Sequence, residues 1–321
     1  MDRGESEDNK RMNKNPESKQ FWRLFGPLLL YWVIQFVARF IVEMFAIIPH
    51  LGEIIDYSAF SDNMTQDEIM NLAWQNAGKV MEIVQKYQVE ILGFAALFTI
   101  PLTLSLFLMD RKREKMLNIP QNKKANIWKY GEIIGLGVAV CIGANCLTIM
   151  SSLAMASQQY QETSEVFYSA SVPVQVLCLG LVIPLTEELM FRGVLFKRYR
   201  ERGSFMKAAV CSSLLFGLIH GNVVQFLYSF ILGLLLSYVY EKYGSFKAPA
   251  VLHVVANITS LIVTDIGGFD WLAAKVSRMG IAAVVCAFAG SIMFVLIQRI
   301  DEKPDVTPPP AENKITPDMF R

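Results

Sequence analysis

Residues 173–195 read PVQVLCLGLVIPLTEELMFRGVL, an apolar stretch whose only charged residues are Glu187, Glu188 and Arg192. A helix needs about 20 residues to cross a hydrocarbon core of about 30 Å. The stretch is therefore long enough for one crossing. It also carries ionisable groups that a bilayer interior penalises unless they are paired or hydrated. The sequence predicts a membrane-spanning helix that holds charged side chains inside the bilayer.

The rest of the chain has the same character. Of its 321 residues, 53% are hydrophobic and 18% are charged, whereas a soluble domain has about 45–50% apolar and about 25% charged residues. The apolar residues lie in blocks of about 20, as membrane helices require. We expect an all-α fold, a polytopic membrane helical bundle of about eight transmembrane helices. The predicted spans are 23–49, 89–109, 132–155, 173–195, 207–220, 223–241, 249–265 and 281–298.

The loop charges predict an orientation. Lysine and arginine are concentrated in the N-terminal tail, in residues 111–129 and in residues 197–202, whereas residues 156–172 contain neither. Because basic loops stay on the cytoplasmic side, both termini are expected there, in a multi-pass protein of the cell membrane. Residues 51–88 are then an extracytoplasmic loop, in which we expect a surface helix. No basic face is concentrated enough to bind nucleic acid.

Polar residues inside three predicted spans form a second pattern. The fourth span contains Glu187, Glu188 and Arg192, the fifth ends near His220, and the seventh contains His253 and Asn257. At 1.5 Å per residue, Glu187 lies about 15 Å from the cytoplasmic edge, His220 about 20 Å and His253 about 9 Å. The side chains can therefore converge on one cavity, which we interpret as the candidate site.

These residue types suit hydrolysis of a carbonyl compound, with a peptide bond as the best candidate. Glu188 and Arg192 are four residues apart and form a natural ion pair, while Glu187 is turned about 100° away on the helix. A carboxylate in a low-dielectric site suits a general base that activates water. A histidine can help to hold that water, and a second histidine and the Asn257 amide can donate hydrogen bonds to a developing oxyanion.

The same residues leave a metal mechanism open. Two histidines and one carboxylate can bind Zn²⁺ with one position free, and the candidates are Glu187, His220 and His253. The HExxH helix of soluble zinc proteases is absent from the sequence, as is the GxSxG motif of serine hydrolases.

Three motifs carry a resemblance to a known family. EExxxR at 187–192, FxxxH at 216–220 and HxxxN at 253–257 occur in order on successive polar spans. Together they resemble the CAAX prenyl protease and bacteriocin-processing family (CPBP, or Abi), a family of intramembrane proteases. The resemblance covers roughly residues 173–260. Family members are described both as metal-dependent and as glutamate-dependent enzymes.

The resemblance implies roles and a division of the chain. Glu187 corresponds to the catalytic glutamate, supported by Glu188 and Arg192, while His220, His253 and Asn257 match the other essential positions. Phe216 is expected to shape the cavity wall. The substrate would be a membrane-anchored peptide or protein in contact with the lipid bilayer. The predicted parts are cytoplasmic tails at 1–20 and 301–321, N-terminal helices and loops at 21–172, a catalytic core at 173–265 and a last transmembrane helix at 266–300.

Two other functions remain open from the sequence. A non-proteolytic immunity or regulatory scaffold would keep the fold, and a transporter would use the buried groups to relay protons. Transport is disfavoured because no inverted repeat or matched pair of broken helices is visible. A separate pair, Arg39 and Glu43 in the first span, is interpreted as a structural ion pair that faces the bundle.

Overall fold

The computed structural model describes residues 16–55, 64–117, 124–152 and 156–300, with side chains from residue 21 onward. The described residues form helices and no strand, so the prediction of an all-α membrane bundle is confirmed. Most of the two predicted tails and the end of the third predicted span lie outside these ranges. The helices are α1 (Pro16–Ile47), α2 (Gln66–Lys86), α3 (Gln88–Met116), α4 (Tyr130–Met150), α5 (Gln158–Ser169), α6 (Val172–Arg200), α7 (Phe205–Leu218), α8 (Val223–Tyr243), α9 (Lys247–Asp265), α10 (Gly268–Ala273) and α11 (Val276–Gln298).

Seven helices are long and apolar enough to cross a membrane, namely α1, α3, α4, α6, α8, α9 and α11. The eighth predicted span corresponds to α7, which has 14 residues and is therefore only about 21 Å long. A tight turn joins α7 to α8. In this turn Gly221 adopts a positive φ of 77°, and the Asn222 side chain caps α8 by accepting a hydrogen bond from the Gln225 backbone N–H. The chain therefore reverses direction beside the site.

Contacts between helix ends place the start of α1 and the end of α11 on the same face of the bundle. Arg23 at the start of α1 and Arg113 near the end of α3 both pair with Glu201, at 2.8 and 3.0 Å. Arg200 at the end of α6 pairs with Glu241 near the end of α8 at 3.4 Å, and Lys242 of α8 donates to the Gln298 carbonyl at the end of α11 at 2.9 Å. Because α1 begins and α11 ends on this face, the chain crosses the bundle an even number of times, with α7 counted as a short crossing.

The opposite face carries the surface helix predicted within residues 51–88. Thr65 and Glu68 form a reciprocal capping box that starts α2, an arrangement that satisfies two otherwise free backbone N–H groups. Lys79 of α2 then donates to the backbone carbonyls of Glu53 and Ile54, at 2.9 and 3.3 Å. These bonds anchor α2 to the end of the first span.

Helix α6 lies at the centre of the bundle, in contact with α1, α3, α7, α8 and α9. It is not a regular α-helix, because π-helical turns at Val176–Val182 and Leu189–Phe196 flank an α-helical segment at Ile183–Glu188. Such turns are rare and often occur at functional positions. The glutamates lie at the junction with the second π-helical turn.

Small residues let α4 approach its neighbours closely. A Cβ atom on Gly137 would lie 3.0 Å from Val255 Cγ1 and 3.2 Å from the Leu252 carbonyl oxygen of α9. Gly135 and Gly143 meet Met293 and Cys286 of α11 in the same way, whereas Gly131 faces open space. Glycine at these contacts is typical of membrane helix packing.

Candidate active site

The site forms where α6 meets α9 and the end of α7. Arg192 Nη1 donates to Glu188 Oε1 at 2.7 Å, and His253 Nδ1 lies 2.9 Å from the same oxygen. His253 Nε2 lies 3.9 Å from Glu187 Oε2. One carboxylate oxygen of Glu188 therefore joins α6 to α9, and the histidine presents its second nitrogen to Glu187.

The supporting pair is completely buried. Glu188 and Arg192 have no exposed surface, and His253 retains 3%. Gly233 of α8 creates space for the guanidinium, because a Cβ atom there would lie 3.1 Å from Arg192 Nη2 and 2.8 Å from Ser213 Cβ. Sequence reasoning did not identify Gly233 or Ser213 as neighbours of the site. A glycine inside an apolar helix was the available signal.

The two adjacent glutamates occupy different environments. Glu188 is held by a guanidinium and an imidazole, whereas the Glu187 side chain keeps 11% of its surface exposed and lies beyond hydrogen-bond distance of His253. A carboxylate fixed by two partners is suited to orienting its neighbours, and a more open carboxylate is suited to proton transfer. The roles expected for the two residues stay predictions.

Phe216 of α7 packs at the centre of the cluster. Its ring lies edge-on to His220 and His253, with centroids 5.0 and 5.7 Å apart, and its face covers the Arg192 guanidinium at 4.4 Å. A cation over a ring face and imidazoles at its edge are favourable contacts. Phe216 thus fixes both histidines and shields the arginine, which extends its expected role as a wall residue.

His220 is oriented by its own helix. Its Nδ1 lies 2.9 Å from the Phe216 carbonyl oxygen, which can only accept a hydrogen bond, so Nδ1 carries the proton. In the neutral imidazole Nε2 is then a free acceptor. His220 is partly exposed, so this nitrogen is available to a water molecule or a substrate.

Asn257 lies one turn beyond His253 on α9. Its amide nitrogen donates to the Leu179 carbonyl at 3.0 Å, in the first π-helical turn of α6. A π-helical turn disturbs the regular backbone ladder and leaves carbonyls in need of partners. One N–H of Asn257 is therefore used to hold α6, and the second remains for the expected interaction with an oxyanion.

Tyr31 of α1 is a neighbour of the site that sequence reasoning missed. This buried side chain interacts electrostatically with Glu187, and its hydroxyl is hydrogen-bonded to Thr99 and Thr186. Gln35 Nε2 also donates to the hydroxyl, at 3.0 Å. Tyrosine is common at membrane interfaces, so its type alone did not distinguish it from an anchor residue.

The orientation predicted for Arg39 and Glu43 is wrong. The two side chains form the expected ion pair at 2.7 Å, but 44% of the arginine and 24% of the glutamate side-chain surface is exposed. Helix α1 lies at the periphery of the bundle, where Phe36 and Phe40 on the same side are 75% and 58% exposed. The pair therefore opens to the outer surface of α1.

The candidate ligands of a metal ion are Glu187, His220 and His253. Both histidines use Nδ1 for a hydrogen bond and leave Nε2 free, which is a common arrangement in metal-binding histidines. However, among the described residues no three carboxylate, imidazole or thiolate groups lie close enough together to hold an ion. The described geometry does not fit a metal, and we derive no step through one.

Comparison with known proteins agrees with the family resemblance. Residues 169–259 match the model of the family described as "Type II CAAX prenyl endopeptidase Rce1-like", and the resemblance read from the three motifs is confirmed over this segment. The segment runs from the end of α5 to the middle of α9. Helices α1 to α4 lie outside it.

Individual relatives are distant. The chain is 26% identical over 93 residues to "Putative membrane peptidase YdiL" of Bacillus subtilis (strain 168), an alignment that covers 29% of this chain and 38% of the relative. It is 30% identical over 96 residues to "UPF0177 protein YxdF" of Lactococcus lactis subsp. lactis (strain IL1403), covering 30% of this chain and 52% of the relative. The similarity thus spans about half or less of these two proteins. No solved structure matches the chain significantly. The apolar helices and the family match together support an integral multi-pass membrane protein.

Proposed function

We propose that the protein is an intramembrane endopeptidase that hydrolyses a peptide bond of a membrane-associated peptide or protein. The observation that carries the proposal is the contrast between the two glutamates. Glu188 is fully buried and bonded to Arg192 and His253, while Glu187 beside it, buried with 9% of its surface exposed, lies 3.9 Å from His253 Nε2 and forms no such bond. The match to the CAAX endopeptidase model over the same segment supports this assignment.

In the proposed mechanism Glu187 acts as the general base. A water molecule donates one hydrogen bond to Glu187 and another to the free Nε2 of His220. Glu187 takes a proton as the water oxygen bonds to the peptide carbonyl carbon, and the carbonyl oxygen becomes an oxyanion. The second N–H of Asn257 donates to that oxyanion. When the C–N bond breaks, Glu187 returns the proton to the leaving nitrogen, so that protons balance over the cycle.

The other residues position this apparatus. Glu188 holds His253 through Nδ1, which leaves Nε2 as an acceptor facing Glu187. When Glu187 is protonated, a small movement closes the 3.9 Å gap between these two groups and holds the proton until the leaving group needs it. Arg192 balances the charge of Glu188 at the buried end of the site.

Site-directed variants test the assignment. We expect Glu187→Ala and His220→Ala to reduce cleavage to background, because the first lacks the base and the second lacks a partner for the water. The assay uses purified protein in liposomes, with a quenched fluorescent single-span peptide and a prenylated C-terminal CAAX peptide as probes. Glu82→Ala on the exposed side of α2 is the matched control and should cleave like the unsubstituted protein. Full cleavage by both site variants would contradict the roles given to Glu187 and His220, whereas no cleavage by the unsubstituted protein would support a non-proteolytic scaffold.

Metal removal separates the two forms of the mechanism. Because the described ligands are not gathered around one point, we expect cleavage to persist after treatment with a strong chelator followed by gel filtration. Loss of activity, with recovery on addition of Zn²⁺, would contradict the metal-free mechanism. It would leave Glu187, His220 and His253 as the candidates for binding the ion.

A further inference from the structure

Four polar side chains follow one another along α1 at intervals of four residues: Tyr31, Gln35, Arg39 and Glu43. Because residues four apart share one side of a helix, they form a continuous strip, which we call the α1 polar strip. Gln35 bonds to Tyr31 at 3.0 Å, and Arg39 bonds to Glu43 at 2.7 Å. The strip extends about 18 Å along the helix axis.

Exposure increases along the strip. Tyr31 is completely buried, Gln35 is half-buried, and the Arg39 side chain is 44% exposed. The buried end packs against α6 near the glutamates, where the Tyr31 and Phe191 rings have centroids 6.3 Å apart and Tyr31 is close enough to Glu187 to interact electrostatically. The α1 polar strip is therefore a polar path from the outer surface of the bundle to the proposed general base.

The exposed end is unusual for a membrane protein. With Arg23 and His50 as the polar limits of the first span, Arg39 lies about 4 Å beyond the midpoint. Ionisable groups at this depth almost always face the bundle interior or a water-filled cavity. An ion pair open at the surface is therefore costly, unless it is used to bind something polar inside the bilayer.

Resting on the proposed function, we infer that the α1 polar strip binds the unwound segment of the substrate next to the scissile bond. A helix must open before its peptide bond can be cut, and each freed backbone N–H or C=O in lipid costs several kcal/mol unless it is bonded. Gln35 offers a donor and an acceptor, Arg39 offers donors and Glu43 offers acceptors. At about 3.3 Å per extended residue, the strip accommodates about five substrate residues.

The partner is specified by these features. A folded transmembrane helix has no free backbone groups for the strip to bind, whereas an unwound peptide does. The strip also runs toward the proposed general base, so a peptide bound along its exposed part has one end directed at the active site. Helix α1 lies outside the segment that the family model matches.

Binding is measured independently of cleavage by crosslinking. The protein carries Glu187→Gln to prevent turnover, together with Gln35→Cys or, as the matched control, Val37→Cys, an exposed position about 200° away from Gln35 around the helix. Each variant is labelled with a benzophenone maleimide and reconstituted in phosphatidylcholine and phosphatidylglycerol vesicles. The probe is a biotinylated peptide of about 22 apolar residues interrupted by Gly-Gly. Labelled protein without either cysteine substitution gives the background from native thiols.

We expect the probe to crosslink severalfold more from position 35 than from position 37. Equal yields at the two positions, or no crosslink at position 35, would overturn the inference. Crosslinks between two copies of the chain in place of the peptide would also overturn it, and would identify the strip as a dimer contact.

Kinetics provide the second measurement. Arg39→Leu/Glu43→Leu should raise KM for the single-span probe by about tenfold, as loss of a charge-assisted hydrogen bond predicts, with kcat unchanged. A soluble peptide of about four residues that contains only the cleaved sequence spans about 13 Å and is too short to use the whole strip, so its KM should stay the same. An equal change in KM for both peptides would contradict binding of the substrate to the α1 polar strip. Cleavage that survives Glu187→Ala would instead contradict the proposed function, while the crosslinking result would still report on binding.

Discussion

The adjacent carboxylates show how a side chain's partners determine its role. Glu187 and Glu188 are chemically identical neighbours, yet the structure gives Glu188 two buried hydrogen-bond partners and leaves Glu187 partly exposed. Removing one member of a buried ion pair leaves the other charge without compensation and costs about 3–5 kcal/mol. Removing the Glu187 carboxylate leaves the buried pair of Glu188 and Arg192 intact. Stability and activity should therefore separate between the two positions.

We expect Glu188→Ala to lower both the Tm and the cleavage rate, because Arg192 and His253 lose their common acceptor. Glu187→Ala should abolish cleavage with a smaller loss of Tm, because it leaves the bonds of Glu188 to Arg192 and His253 in place. Thermal unfolding in detergent, followed by tryptophan fluorescence, measures the difference. A large loss of Tm in the Glu187 variant would show that this residue is also part of the structural network.

The residue types and spacing predicted most members of this cluster, but not all of their hydrogen-bond partners. The i, i+4 spacing of Glu188 and Arg192 was enough to predict their ion pair. The bond from His253 to the same Glu188 oxygen was not predictable, because it depends on the rotation of α9 against α6. Tyr31 and Gly233 were missed for the same reason. Each is an ordinary residue in an apolar helix until the packing brings it to the site.

Helix α6 shows the corresponding limit for a whole helix. Its length and apolar character were predicted correctly, but the two π-helical turns were not. Sequence reasoning assumed a regular 100° rotation per residue. The π-helical turn that contains Leu179 departs from this rotation, and the Asn257 side chain of α9 donates to the Leu179 carbonyl there. The sequence of α6 alone does not reveal a turn that another helix stabilises.

Close packing of α4 against α9 offers a test of how one helix positions the site. Gly137→Ala places a methyl group 3.0 Å from Val255 Cγ1 and 3.2 Å from the Leu252 carbonyl oxygen. These residues flank His253, so α9 must shift and the histidine with it. We expect a lower Tm, since overpacking costs about 1–3 kcal/mol, and a reduced kcat.

The matched control is Gly131→Ala on the same helix, where the new methyl group meets nothing within 4 Å. Its Tm and kcat should remain close to those of the unsubstituted protein. If both alanine variants behave alike, the effect comes from glycine in the helix backbone and not from the contact with α9.

Ion pairs at one end of the bundle tie the first half of the chain to the family-matched segment. Arg198 of α6 binds Asp110 of α3 through two bonds of 2.7 and 3.2 Å and donates to the Arg23 carbonyl of α1 at 2.7 Å. The sequence identified these arginines only as loop charges. Their acidic partners were overlooked because the positive-inside rule counts lysine and arginine alone.

Pairing with acids does not weaken the predicted orientation, because the rule depends on the number of basic residues near the span ends and not on net charge. The structure places the basic loops on one face of the bundle and α2 on the other, so labelling at two positions tests the orientation of the whole molecule. We predict that a membrane-impermeant maleimide labels Glu82→Cys on α2 in intact cells, and that it labels Lys207→Cys at the start of α7 only after the membrane is opened.

Both side chains are exposed, so a difference in labelling reports sidedness and not burial, and the unsubstituted protein measures the background from native thiols. The reverse pattern would place the termini outside. It would also require the basic loops to have crossed the membrane, against the bias that normally retains them.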